Sequence, residues 1–274
     1  MSDIVDRLEE CSLKSQNLEG SPPPEATSVS PIKEGLPEAL KKGKFPPTSK
    51  KLYFPIISSG GGLNCLPFAN AGISMASFFR TLPRDVLRVP ADQVFRTDHK
   101  NLVNVQELYL APDALTLTYD CWGISLLEIS ERRNIFARDE IAVATICRET
   151  LRGLSYIHHV IGIAHANISC GTVILTAKGV VKITDVGESM LEPCDDDDKY
   201  LDCQAVCQIA KVLLELDSTP KPLTNPRREA MEFANIPLGA TVDELLRHPF
   251  LRRAVEPCSL QPFPILLRIL HTAA

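Results

Sequence analysis

The chain has 274 residues, a formal net charge of −5 and 45% hydrophobic residues, values that are typical of a soluble globular protein. Nucleic-acid-binding domains usually carry a basic surplus, so this acidic balance argues against nucleic acid as the main partner. The longest stretch without charged residues, 53–79, contains prolines, three consecutive glycines and two asparagines, which argues against a membrane span. Nine cysteines without framework spacing indicate reduced thiols, and the acidic N-terminus differs from a secretory signal. We therefore expect a cytoplasmic or nuclear protein.

The composition of the chain changes near residue 50. Residues 1–50 contain seven of the 21 prolines and a single aromatic residue, Phe45, so they bury too little apolar surface to offset the entropy lost on ordering. We predict that this segment is mostly disordered. A weak basic cluster near its end leaves three interpretations open, namely a nuclear-import signal, a docking patch and a solvated linker. Its members are Lys41, Lys42, Lys44, Lys50 and Lys51.

Residues 102–157 predict two strands and a long helix. Segments 102–110 and 115–119 are typical of short strands, and the Ala-Pro-Asp sequence between them is typical of a turn. Asp139 is placed to cap a helix, because apolar residues follow it at helical spacing. The residues expected to face the core are Ile141, Ala144, Cys147, Leu151, Leu154 and Ile157.

A hairpin and two further helices are predicted after it. Segments 173–176 and 180–184 are typical of two strands, with glycine available for the turn between them. Asp202 is placed to cap a second long helix, in which we expect Cys203 and Cys207 to be buried. A zinc site is the alternative, but it would need further Cys or His ligands at matching spacing. The sequence Thr-Val-Asp-Glu at 241–244 predicts a capping box at the next helix.

The order of these elements resembles a protein kinase, and in particular its larger C-terminal lobe. Residues 149–187 are similar to the kinase segment that runs from a long helix through the catalytic loop to the metal-binding DFG motif. Residues 99–126 resemble the fourth and fifth kinase strands and the hinge. Residues 244–251 resemble the closing helix of kinases that act upstream in MAP-kinase cascades. Several motifs in order at fitting distances make the composite specific.

The resemblance implies an α+β fold with a mainly helical C-lobe and a degenerate or truncated N-lobe. The implied kinase-like domain covers residues 51–262 and follows the disordered segment. Within it, the implied parts are the N-lobe with the hinge at 52–125, the C-lobe at 126–262, and a C-terminal tail at 263–274.

The resemblance also implies that most catalytic residues are lost. In the family, the catalytic Asp lies eighteen residues before the DFG Asp, and here Asn167 and Asp185 have that separation. A carboxamide cannot accept a proton near pH 7. Ser169 replaces the usual basic residue of the loop and Thr172 replaces the Asn that holds one Mg²⁺, while His165 keeps the position of a structural histidine. Asp185 alone is left as a candidate for metal and nucleotide contacts.

The small lobe offers a weak candidate for a phosphate loop. Gly60 and Gly62 could belong to a remnant of the family's Gly-rich loop over ATP, although Cys65 stands at the position of the third glycine. A plain turn that uses the conformational freedom of glycine is the alternative.

The phosphate-binding Lys of the family and its Glu partner are both missing. Residues 52–99 contain no lysine and residues 39–106 contain no glutamate, and Pro90 is expected to interrupt the helix that carries this Glu in the family. An arginine could substitute for the Lys, with Asp85 or Asp92 as its partner. The candidates for this substitution are Arg80, Arg84 and Arg88.

The segment after Asp185 is too short for the family's activation loop and peptide platform, because Asp202 follows only seventeen residues later. Residues 188–201 include six acidic residues, of which four are consecutive, Asp195 to Asp198. A solvated loop is one interpretation of the four. The other is that this segment borders an acidic groove that takes a basic docking peptide of a protein partner.

Three functions stay open at this point. The first, which the lost residues favour, is a pseudokinase without a cofactor that serves as a scaffold or regulator for a protein partner such as an active kinase or another signalling component. The second is a weak or atypical serine/threonine kinase that binds Mg–ATP through Asp185. The third is a non-functional remnant of a truncated kinase.

Overall fold

A computed structural model describes residues 52–59, 62–68, 77–120, 123–132, 134–217 and 225–265 of the chain, and it describes side chains from residue 80 onward except that of Arg132. The predicted disordered segment, 1–50, and the candidate Gly60 lie outside the described residues. No helix in these ranges is both long enough and apolar enough to cross a membrane.

Five strands between residues 52 and 119 form an antiparallel sheet, in the order β1-β2-β3-β5-β4. The resemblance implied a degenerate or truncated N-lobe, and the described residues of this part contain these five strands. The fourth strand begins three residues later than predicted, and Leu102 instead forms a parallel bridge with Ile183. The strands are β1 Leu52–Ser59, β2 Gly62–Phe68, β3 Ser77–Pro83, β4 Val105–Leu110 and β5 Ala114–Tyr119.

The connection between β3 and β4 contains two short 3₁₀ turns, Arg84–Val86 and Ala91–Gln93. Residues 84–104 are all described and include no α-helix. Pro90 immediately precedes the second turn, where the fixed φ of proline suits a helix start but excludes a helix interior. The prediction that Pro90 interrupts a helix here agrees with this geometry.

A smaller three-stranded sheet lies at the start of the helical lobe, with strands β6 Ile124–Ser125, β7 Val173–Leu175 and β8 Val181–Ile183. The hairpin of β7 and β8 is confirmed, and Gly179 in its turn has a φ of +79°. A Cβ atom at this position would also lie 2.6 Å from Gln261 N, so both the backbone conformation and the lack of space require glycine.

Six helices complete the described lobe. They are α1 Leu126–Arg132, α2 Glu140–Tyr156, α3 Val186–Ser189, α4 Asp196–Leu213, α5 Asn225–Ala234 and α6 Val242–Leu246. Asp139 caps α2 as predicted, because its carboxylate accepts from Ala142 N at 2.8 Å. The capping box of Thr241 and Glu244 at α6 is also confirmed.

The core of the lobe forms where α2 packs against α4, α6 and the hairpin. Leu151, Leu154 and Leu213 are completely buried there, as predicted. Ile141 was predicted to face the core but is 49% exposed, because the first turn of α2 buries Ala142 and Val143 instead. Phe263, the first residue of the predicted tail, packs against Phe136 with ring centroids 4.7 Å apart.

Helix α4 begins earlier than predicted. Asp195 is its N-cap and Asp196–Asp198 form its first turn, so the interpretation of these acids as a solvated loop is wrong. Negative side chains are favoured at a helix N-terminus because of the helix dipole, which explains this start. Asp202 therefore lies inside the helix and does not cap it.

The cysteines of α4 belong to the core. Cys203 and Cys207 are buried, and burial raises the pKa of both thiols to about 12. Among the residues that the structure describes, no group of three or more Cys, His, Asp or Glu side chains could hold a metal ion. The prediction of buried helix cysteines is confirmed.

Candidate functional site

A cleft of about 400 Å³ lies where β3 faces the loop before β7 and the segment after β8. Of the candidates that the resemblance implied for the catalytic loop and the metal site, His165, Asn167 and Asp185 line it, whereas Ser169 and Thr172 do not. Gly62 begins β2 opposite Ser59. The remaining residues of the cleft wall are Arg80, Ala164, Ala166, Glu188, Ser189, Glu192, Pro193, Cys194 and Asp198.

The ring of His165 makes hydrogen bonds that hold the loop before β7 in place. Its Nε2 lies 2.7 Å from the carbonyl oxygen of Thr184, and its Nδ1 accepts a hydrogen bond from Asn167 N at 3.3 Å. Because a nitrogen that accepts carries no proton, Nε2 is the donor to Thr184. Burial lowers the pKa of His165, which agrees with a neutral ring. The structural role that the resemblance implied for this histidine fits its contacts.

The hydroxyl group of Thr172 makes its hydrogen bonds within the loop. Its hydroxyl donates to the carbonyl oxygen of Asn167 at 2.7 Å and accepts from Ser169 N at 2.9 Å. The backbone of Thr172 also accepts from Thr184 N at 2.9 Å, which joins the loop to β8. These contacts give Thr172 a structural role within the loop, where the resemblance implies a metal-binding asparagine.

Asp202 holds the loop from α4. Its carboxylate accepts from His165 N at 2.7 Å and from Ala166 N at 2.8 Å, and it lies 2.9 Å from His158 Nε2. Ala166 adopts a left-handed conformation with a φ of +60°, which is costly for a residue other than glycine. The carboxylate therefore stabilises a strained turn, and the sequence analysis, which made Asp202 a helix cap, missed this function.

Asn167 presents a carboxamide at the edge of the cleft. The residue is exposed, while its backbone groups are held by His165 and Thr172. Its side chain can donate and accept hydrogen bonds but cannot act as a general base near neutral pH. Ser169 is also exposed, and its hydroxyl accepts from Gly171 N at 3.2 Å.

Four side chains meet at the sheet side of the cleft. Arg80 Nε lies 3.5 Å from Glu188 Oε1, and the Tyr119 hydroxyl donates to the same oxygen at 3.2 Å. Asp185 precedes α3 and has a φ of +61°, so one helical turn brings Glu188 back beside it. Sequence analysis proposed Arg80 as a substitute for the family's Lys, but its partner is Glu188 and not Asp85 or Asp92.

The electrostatics of this cluster follow from burial. Burial, and then the neighbouring charge of Asp185, raise the pKa of Glu188 to about 8, although Arg80 acts in the opposite direction. Burial also raises the pKa of Tyr119 well above its usual value.

Sequence comparison finds kinases among the relatives of this chain. It is 36% identical over 106 residues to the serine/threonine-protein kinase dst2 of Dictyostelium discoideum, and 44% identical over 96 residues to CLA4 of Candida albicans. These matches cover 38% and 33% of this chain, but 9% of each relative. The kinase pakA of Dictyostelium discoideum is 26% identical over 180 residues, which are 63% of this chain and 15% of pakA. The chain thus matches only a small part of the length of these relatives, and no family model matches it.

A kinase structure is also similar to the fold. The structure of Rad53 1–466 in complex with AMP-PNP has a TM-score of 0.55 to this chain at 14% identity, and the similarity covers 74% of this chain and 65% of that chain. Identity this low supports the fold and nothing finer. The α+β architecture of a small sheet and a mainly helical lobe, which the sequence predicted, is confirmed.

Proposed function

Because the chain has a protein-kinase fold and is related to serine/threonine protein kinases, we propose that it is a pseudokinase, which transfers no phosphate and acts by binding another protein. The observation that carries the proposal is the exposed carboxamide of Asn167 at the edge of the cleft, in the place of the catalytic base. Loss of a general base costs a factor of about 10² to 10⁴ in rate.

Two other polar groups support the same conclusion. Thr172, in the loop next to the cleft, uses its hydroxyl within that loop, and Arg80 in the cleft wall is paired with Glu188, so neither is prepared to hold a metal ion or a phosphate. Catalytic groups that act as a unit do not contribute additively. The retained Asp185 therefore provides little catalysis by itself.

The experiment is an assay of ADP release from Mg–ATP with a mixture of generic serine/threonine and tyrosine substrates. We expect the wild-type protein and the Asp185→Asn variant to give equal rates, at the level of a reaction without protein. Turnover that disappears in Asp185→Asn would overturn the proposal and favour a weak kinase. Turnover that persists in the variant would identify a contaminating enzyme.

We further propose that the partner presents a basic segment to the cleft. The described wall carries the acidic residues Asp185, Glu188, Glu192 and Asp198 against a single cation, Arg80. An electrostatically steered contact weakens with salt. The anisotropy of a fluorescent peptide rich in lysine and arginine measures this binding. We expect the peptide to bind at low salt and Glu192→Gln to weaken the binding. Asp113→Asn is the control and should leave the binding unchanged, because Asp113 is an exposed acid in the turn before β5. Equal affinity of all three proteins would refute the acidic docking site.

A further inference from the structure

The contacts of Arg80 cross from the sheet to the helical lobe. Arg80 lies on β3 and Tyr119 ends β5, whereas Glu188 belongs to α3, after the hairpin of the helical lobe. Both side chains of the sheet converge on one oxygen, Glu188 Oε1, at 3.5 Å and 3.2 Å. Arg80 and Glu188 are 25% and 19% exposed, so solvent screens this ion pair less than a surface pair.

We propose that Arg80, Tyr119 and Glu188 form an internal latch, which joins the sheet to the helical lobe and fills the phosphate side of the cleft without a nucleotide. The inference rests on the proposed function in one respect, since a tightly bound nucleotide would compete for Arg80. The latch thus gives the cleft a fixed shape that depends on residues of the chain alone.

Gly187 supplies independent evidence for the latch. A Cβ atom at this position would lie 2.7 Å from the Tyr119 hydroxyl oxygen and 3.0 Å from Leu117 Cδ1. A contact of 2.7 Å essentially never occurs, so a larger residue would require the Tyr119 side chain or the start of α3 to shift. The glycine that follows Asp185 and Val186 therefore permits the close approach on which the hydrogen bond of Tyr119 depends.

A second pair of contacts lies next to the latch and also joins the part of the chain that carries the sheet to the helical lobe. Arg88, in the connection between β3 and β4, donates its backbone N–H to Leu191 O at 2.8 Å, and its Nε lies 3.7 Å from Glu192 Oε1. This ion pair is exposed, with side-chain exposures of 67% and 56%, and contributes little. It provides a matched control, because it joins the same two parts of the chain through an exposed ion pair that does not involve Arg80.

The charges of the latch disfavour a polyphosphate. A phosphate group needs an accessible cation, and Arg80 is in contact with the Glu188 carboxyl group, beside Asp185. A nucleotide would have to displace the Glu188 side chain before it could use Arg80. The residues described in the cleft therefore do not fit Mg–ATP, and replacement of the Glu188 carboxyl group is the change that would free Arg80 for phosphate.

Amide hydrogen exchange of the full chain tests the latch. Hydrogen bonds to charged groups contribute about 1.5–3 kcal/mol, so we expect Glu188→Gln to speed exchange in residues 77–83 and 186–191 by about 10- to 100-fold. The control Glu192→Gln is expected to change exchange there less than threefold. Arg80→Gln should reproduce the effect of Glu188→Gln, and Arg80→Lys, which keeps the charge, should restore part of the protection.

Inorganic tripolyphosphate provides the second readout, measured by the thermal shift of the same four variants and the wild-type protein. We expect tripolyphosphate to raise the melting temperature of the Glu188→Gln variant alone. Equal exchange in Glu188→Gln and Glu192→Gln would overturn the latch, and so would a shift of the wild-type protein that Arg80→Gln abolishes. Release of ADP from Mg–ATP, with the exchange results as expected, would refute the proposed function and leave the latch standing.

Discussion

The substitution Asp202→Asn tests whether the buried carboxylate of α4 holds the loop of the cleft. It removes a charge and replaces one oxygen by an amide nitrogen, while size and shape stay nearly the same. In the wild type, one carboxylate oxygen contacts His165 N and His158 Nε2, and the other accepts from Ala166 N. Asparagine can keep only one of these oxygens, so its amide group must face a donor.

The expected magnitude follows from these three contacts. The orientation that loses least keeps the oxygen toward His165 and turns the amide toward Ala166 N, so one charge-assisted bond worth about 1.5–3 kcal/mol disappears. The other two bonds then involve an uncharged amide oxygen and become weaker, and the partly buried N–H of Ala166 is left without an acceptor. Relief from burying a charge offsets part of this loss. We therefore expect the free energy of unfolding to fall by about 2–4 kcal/mol, a large fraction of the stability of a domain.

Urea denaturation, followed by circular dichroism, measures this loss. Asp197→Asn is the matched control, because Asp197 is exposed in the first turn of the same helix and contributes only a few tenths of a kcal/mol through the helix dipole. A fall below 1 kcal/mol for Asp202→Asn, or one equal to that of the control, would refute the role of Asp202. A single cooperative transition of the wild type is also expected, because a non-functional remnant with an incomplete core would lack one.

Two further predictions concern the supports of the cleft. The pKa of His165 is lowered by burial, so this residue stabilises the folded state above its unfolded pKa of about 6.5, and the stability is lost as the pH falls below that value. The difference in unfolding free energy between the wild type and His165→Gln should therefore shrink between pH 7.5 and 5.5; a constant difference would contradict the neutral ring. Gly153→Ala gains about 1 kcal/mol of helix propensity, but its Cβ would lie 2.9 Å from Ile183 Cδ1 and 3.0 Å from Asn101 O, so we expect a net loss of about 1–2 kcal/mol in urea. Ser155→Ala in the same helix is the control, and a stabilised Gly153→Ala would show that the contact relaxes freely.

Local signals predicted the elements whose causes lie close together in the sequence. The cap of Asp139, the box of Thr241 and Glu244, and the hairpin with Gly179 each depend on residues within a few positions of one another. The start of α4 was missed for a related reason, because the apolar pattern begins after Asp202, whereas the dipole lets the acidic residues before it join the helix.

The contacts of the candidate site depend on tertiary structure, and the sequence could not provide them. Arg80 and Glu188 are separated by 108 positions, and nothing in their local sequence joins them. The spacing of Asp185 and Glu188 does place both carboxyl groups on one helical turn, a signal that was available. The role of Asp202 was hidden, because two of its three partners are backbone N–H groups of a distant loop, and backbone groups leave no trace in a sequence.

The exposed and buried residues of the loop differ in what they do for the fold. Asn167 and Ser169 are exposed at positions where the resemblance implies catalytic groups, and a substitution there changes chemistry and costs little stability. His165 and Asp202 are buried and satisfy donors and acceptors of the same loop, so their loss would leave unpaired groups in the core. Under the proposed function, the chain has no need of the first set but still needs the second, because a protein partner would recognise the shape of the cleft that His165 and Asp202 support.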